Sequence, residues 1–178
     1  MKSLVTGAIC ILLTSTAVIS AFAADEDNNP GTLSKKDYEF VKMAACGGMA
    51  EVDSGQLAAS KGTDALVKQF GRQMVTDHGK ANDELKALAA QKGAVLPPTT
   101  SAKEQRSINK LSELSGAAFD KAYAKDMVAD HKTDVKEFKL ESEKADDADL
   151  RAWAAKTEPT LEMHLQMATN MWSTVSLK

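Results

Sequence analysis

The phrase Met74-Val75-Thr76-Asp77-His78 returns as Met127-Val128-Ala129-Asp130-His131, 53 residues later. Lys68/Lys121, Glu84/Glu137 and Lys86/Lys139 repeat at the same offset, and Phe70/Tyr123 keep an aromatic ring. Around both copies apolar residues recur every three or four positions, the spacing of one helix face. Such an internal repeat points to a symmetric helical architecture. The plainer alternative is two amphipathic helices written in one Lys/Glu/Ala alphabet. That alphabet does not account for a doubled Asp-His in a chain with only three histidines.

The rest of the chain shows almost no β signal; Ala, Lys, Glu, Leu and Met dominate, and an all-α fold follows. A first helix is expected from an N-cap at Ser34, with Asp37 three residues on, to about Ser60–Gly62, with Gly62 suited to a left-handed cap. A second runs from Thr63 or Asp64 to Lys92–Gly93. A third runs from Ser115–Gly116 to Lys144. A fourth runs from Asp146–Asp147 to Ser173, with Pro159 as an expected kink. Two of the links are short, so those pairs form antiparallel hairpins. The link from Gly93 to Leu114 is long and contains its own helix start, Ser101-Ala-Lys-Glu. It can travel the length of a bundle. The expected fold is therefore a ferritin-like four-helix bundle with a long crossover carrying a short extra helix, and with the second and third long helices parallel.

Residues 1–24 read as a cleaved secretory signal: Lys2, an apolar run from Leu4 to Ile19, then Ala21-Phe22-Ala23. Residues 25–33 read as a disordered leader and 34–178 as the bundle domain. The expected location is a bacterial periplasm, with no membrane span left after cleavage. The chain has 22 basic and 25 acidic residues, a net charge of −3, and loss of Lys2 makes it −4. Such a balance argues against nucleic acid as a partner. Cys46 is left as a lone cysteine, either a small buried helix residue or the half of an intermolecular disulfide.

Three of the helical stripes carry a histidine at mid-length: His78, His131 and His164. The first helix carries Glu51 on its stripe, flanked by Gly47, Gly48 and Gly55. Interior glycines cost about 1 kcal/mol each relative to alanine, so they suggest a close helix or a crowded site. The other reading is a small-residue seam with Glu51 tilted to solvent. Buried carboxylates need partners. One glutamate and three histidines around a common point form a ligand set for one divalent metal: zinc, copper, iron or manganese. Met74, Met127 and Met167 sit one turn from histidines; they add thioethers that suit copper, or simply pack. Asp77 and Asp130 each precede a histidine and point about 100° away around their own helix. Reaching across, Asp77 would orient His131 and Asp130 would orient His78. Otherwise both face solvent or pair with Lys80 and Lys132.

Phe40-Val-x-x-Ala-Ala-x-Gly-Gly-Met-Ala-Glu51-Val, the two Met-Val-x-Asp-His phrases, Leu114-Ser-Gly-Ala-Ala-Phe-Asp-x-x-Tyr123 and Pro159-Thr-Leu-x-x-His164 resemble the bacterial exported domain-of-unknown-function family 4142. The resemblance spans about residues 36–172. It implies export and a ferritin-like bundle, and brings no established activity. The residues three before the histidines are Val75, Val128 and Leu161, where a di-iron site needs glutamates. Two-metal oxygen chemistry is thereby disfavoured. The expected role is a metal-binding protein for storage, sensing or envelope stress. A metal-free interaction module with an envelope protein or a second copy as partner, and a mononuclear metalloenzyme, are the alternatives.

Overall fold

The computed structural model describes residues 31–178, so the expected signal and most of the expected leader lie outside the described residues. Among the described residues five helices follow one another: α1 (Lys35–Lys61), α2 (Ala65–Lys92), α3 (Ala102–Glu113), α4 (Gly116–Lys144) and α5 (Ala148–Val175). Their starts are set by side chains that satisfy first-turn N–H groups. Ser34 accepts from Asp37 N, Asp64 from Leu66 N, and Asp147 from Asp149 N and Leu150 N. Ser101 and Glu104 close a reciprocal capping box on α3. At the end of α2, Gly93 takes the left-handed conformation at φ 69°. Gly62 does not; its φ is −52°. It is small because an added Cβ would lie 2.6 Å from the Ala58 carbonyl and 2.8 Å from Val67 Cγ1. Pro159 is accommodated inside a continuous α5.

Two buried aspartates tie the hairpin links to the opposite hairpin. Asp120, in the first turns of α4, accepts from Thr63 N at 3.0 Å and Asp64 N at 2.9 Å, in the α1–α2 link. Asp37, in the first turn of α1, accepts from Asp146 N at 3.1 Å and Asp147 N at 2.8 Å, in the α4–α5 link. The starts of α2 and α4 therefore lie at one end of the bundle. At the other end, Lys92 at the close of α2 pairs with Asp147 and Asp149 at the start of α5. Helices α2 and α4 are parallel, as the connection lengths predict.

The crossover runs along α1 for its whole length. Tyr38 donates to the Val95 carbonyl, Thr100 to the Cys46 carbonyl, and Lys61 to the Ser112 carbonyl. It thereby lays α3 against α1 and α4. Residues 32 and 33, read from sequence as leader, are held in place: Thr32 N donates to the Lys92 carbonyl and Leu33 is buried.

Around the bundle the neighbours are α1–α2, α2–α5, α5–α4 and α4–α1. So α2 and α4, which carry the doubled phrase, face each other diagonally, as a two-fold along the bundle axis would place them. The Asp37/Asp120 pair follows a different relation, one that exchanges the two hairpins. Between them the helices bury two apolar clusters. One, around Phe40, Phe138 and Trp153, fills the end where α1 starts; the other, around Phe70, Phe119 and Tyr123, fills the opposite end. The histidines lie in the layer between. Among the described residues no helix is long and apolar enough to cross a membrane.

Candidate metal centre

His78, His131 and His164 meet in the middle of the bundle, with ring centroids 5.3–5.7 Å apart. His131 and His164 are fully buried and His78 is 6% exposed. Each ring spends one nitrogen on a fixed partner. His78 Nδ1 lies 2.8 Å from Glu51 Oε2, and His164 Nε2 lies 2.8 Å from Asp77 Oδ2. His131 Nδ1 lies 3.0 Å from the Met127 carbonyl one turn back in its own helix. A carboxylate or carbonyl can only accept, so in the neutral ring that nitrogen carries the hydrogen. The other nitrogen is then a bare lone pair. Those others, His78 Nε2, His131 Nε2 and His164 Nδ1, are all buried without a hydrogen-bond partner. One ligand atom from each of the three rings falls within 4.8 Å of the others.

Glu51 reaches this layer from α1. Its Oε1 lies 3.5 Å from His131 Nε2. Glu51, His131 and Asp134 form a second group whose ligand atoms lie within 4.8 Å of one another. Asp134 was not singled out by sequence; it lies one turn past His131 and one turn past Asp130, and that spacing is the signal that points to it. The structure thus brings the three histidines together, and sets Glu51 against His78 and His131 with Asp134 beside it, so that Glu51 has a double task. It orients His78 with one oxygen and presents the other to the cavity.

The expected crossed pairs do not form. Asp77 pairs with His164, not His131, and Asp130 is exposed, not bonded to His78. The reason is the diagonal placement of α2 and α4. A residue turned about 100° from His78 on α2 faces its neighbour α5, and the matching residue on α4 faces α1 and the crossover. Gln73 supports Asp77 one turn away, at 2.7 Å. Met74 and Met127 are buried in the apolar cluster beside the centre, and Met167 is half-buried against it. Phe70 places its ring 5.9 Å from His131 and 6.3 Å from His164, flooring the site.

Two of the three glycines around Glu51 are explained by packing. A Cβ on Gly48 would fall 2.0 Å from Asn82 Oδ1, and one on Gly55 2.8 Å from the Gly71 carbonyl. Gly71 returns the constraint, since its Cβ would meet the Gly55 carbonyl at 2.6 Å. Gly47 has nothing within 4 Å.

The electrostatics follow from burial and from this small set of partners. Burial alone would raise the Glu51 carboxyl, but His78 and His131 beside it hold it below the usual range. Burial would lower His78; the charge and hydrogen bond of Glu51 overcome that and raise it. His131 is lowered by burial and by His78. His164 is lowered to about 4, chiefly by burial, although Asp77 opposes the shift. Asp134 is raised by burial and by the negative charges of Glu51 and Asp130. A cavity of about 30 Å³ adjoins the rings, lined by Glu51, Asp77, His78, Asp134 and His164 among others. That is room for a water molecule or a single ion.

The fold and the centre define a class: a ferritin-like four-helix bundle with one long crossover and a buried His/Glu cluster in its middle layer that could hold a metal ion. The chain belongs to the family described as Domain of unknown function (DUF4142), which it matches over residues 22–171. A solved structure similar to it is a DUF305 fragment from Deinococcus radiodurans. The TM-score is 0.70 at 11% identity, over 80% of this chain and 98% of that one, a likeness of fold alone. No curated protein matches the chain.

Proposed function

We propose that this protein is an exported, periplasmic metal-binding protein that holds one divalent transition-metal ion at His78, His131 and His164, with Glu51 as a further ligand. The observation that carries the reading is the set of three convergent, buried ring nitrogens without partners. Each belongs to a ring whose other nitrogen is already held by an acceptor. Outer partners of this kind fix the tautomer and raise ligand basicity, and metal-binding histidines nearly always have them. An unsatisfied buried polar atom costs about 1–3 kcal/mol; three together, aimed at one point, are relieved by a single cation. Ligands about 2.0–2.1 Å from one ion stand roughly 3.4 Å apart in a tetrahedron. The three ring nitrogens lie within 4.8 Å of one another, a spacing small shifts of the rings can match to such an ion.

The donor set of neutral imidazoles and a carboxylate suits zinc, copper, iron or manganese, and disfavours the all-oxygen sites of calcium and magnesium. With one glutamate, three histidines and no Glu-x-x-His pairs, storage, sensing or buffering of one ion in envelope stress fits better than two-metal catalysis. Titration of metal-stripped protein with zinc and with copper, followed by calorimetry, tests the reading. One equivalent is expected to bind and to raise Tm, as any ligand specific for the folded state must. In His131→Ala both the bound equivalent and the rise in Tm should vanish.

A further inference from the structure

A second cavity, a cleft of about 270 Å³, opens between α1, α3 and α4. Met43, Gly47, Glu51 and Asp134 line both this cleft and the small cavity at the rings. These four residues are shared by both cavities, so the cleft adjoins the cavity at the rings. Along α4 the cleft carries Asp126, Asp130 and Asp134, four residues apart and on one helix face. The first two are exposed and the third is half-buried. Beyond them Glu51 is 6% exposed, and its Oε1 has no hydrogen-bond partner. From α3 come Lys103 and Glu104; the Glu104 carboxylate is occupied by Ser101 N and the Thr100 hydroxyl.

Gly47 completes the picture. An interior glycine costs a helix about 1 kcal/mol relative to alanine, and packing does not demand this one, since nothing lies within 4 Å of an added Cβ. What its missing side chain preserves is open space, and that space lies where the two cavities adjoin.

We propose that this cleft is the entry route for a hydrated divalent cation, with Asp126 and Asp130 drawing it in, Asp134 and Glu51 passing it to the histidines, and Gly47 keeping the gap open. The proposal rests on the metal-binding reading and adds the path to it. A divalent ion cannot shed its water into an apolar interior without replacement ligands. The two apolar clusters close the ends of the bundle, whereas the cleft offers carboxylates at successive depths. Each can exchange for a water before the imidazoles are reached.

The test is the rate at which metal-stripped full-length protein takes up cobalt(II), followed by its visible absorption in stopped flow. The double variant Asp126→Asn/Asp130→Asn should load roughly tenfold more slowly at low ionic strength, with the difference shrinking as salt is added. Its final stoichiometry should match that of the unsubstituted chain. Gly47→Leu, which fills the gap, should slow both loading and chelator-driven release severalfold while leaving Kd nearly unchanged. If Gly47→Leu fails to fold, the double variant decides. Loading at the unsubstituted rate, with one cobalt still bound, overturns the route and leaves the metal centre standing. Loss of the bound equivalent in the double variant also overturns it, because the aspartates would then be ligands. A chain that binds no cobalt at all removes both readings.

Discussion

Each imidazole of the centre is committed at one nitrogen and bare at the other, and that division of labour decides what a substitution will do. Asp77 holds the His164 ring at 2.8 Å. Asp77→Asn keeps the shape but lets the amide present either donor or acceptor, so the tautomer of His164 is no longer imposed. Loss of such an outer partner typically costs 10–100-fold in metal affinity. We expect that loss in competitive zinc titrations, with helix content unchanged by circular dichroism; an unaltered Kd would show that Asp77 does not orient the ligand. The four residues proposed as ligands were legible only as polar residues placed mid-stripe on apolar helix faces. The partners of Asp77 and Asp130 were not. A one-residue offset fixes the direction of a side chain around its own helix, but the identity of the helix it meets depends on which neighbours are adjacent and which are diagonal. Asp134 was missed for a related reason: it stands beside the apolar stripe of α4, not on it, and becomes part of the centre only because α1 brings Glu51 to that side.

At the scale of the helices, the contact of α1 with α2 is set by glycines. Gly55 and Gly71 face each other, and a Cβ on Gly55 would press on the Gly71 carbonyl at 2.8 Å and on Met74 Cβ at 3.0 Å. Backbone cannot move aside cheaply, so Gly55→Ala should destabilise the protein by about 1–3 kcal/mol through overpacking. Gly47→Ala meets open space and should be neutral or stabilising by up to about 1 kcal/mol. Urea midpoints of the two variants should move in opposite directions, or only the first should move. From sequence these glycines look alike; only the seating of α2 against α1 separates them. The end of the bundle where α4 meets α5 supplies a pH effect. Glu141 is buried there, and burial, reinforced by Asp37 and Asp146 against the pull of Lys36, raises its carboxyl to about 7. The folded state then holds a proton that the unfolded chain has released from about pH 4.5 upward. Stability from this group is full below that pH and is lost as pH rises through 7. Glu141→Gln should remove the loss, so that its urea midpoint falls less between pH 5 and pH 8 than that of the unsubstituted chain. Parallel falls would contradict this account of Glu141.

For the whole molecule, the length of the link between Gly93 and Leu114 decides the topology. A short link would have made α2 and α4 antiparallel and would have separated the two copies of the repeated phrase by the length of the bundle. The long one returns the chain along α1, makes α2 and α4 parallel, and brings His78 and His131 to one depth. This much could be read from helix caps, link lengths and the apolar period. The buried aspartates Asp37 and Asp120 could not, since each looks in sequence like an ordinary acidic residue near a helix start; only the docking of one hairpin on the other turns them into caps for the opposite link. The arrangement leaves a polar layer between two apolar clusters, and a cation is the group that would complete it. The most direct measurement is elemental analysis of the protein, purified without a metal-binding tag and then equilibrated with one divalent metal and freed of excess. The account predicts one ion per chain in the unsubstituted protein and none in a folded His78→Ala/His131→Ala variant. Equal metal in the two proteins, or none in either, would contradict it and would leave Glu51 and His78 as a metal-free ion pair at the centre of the bundle.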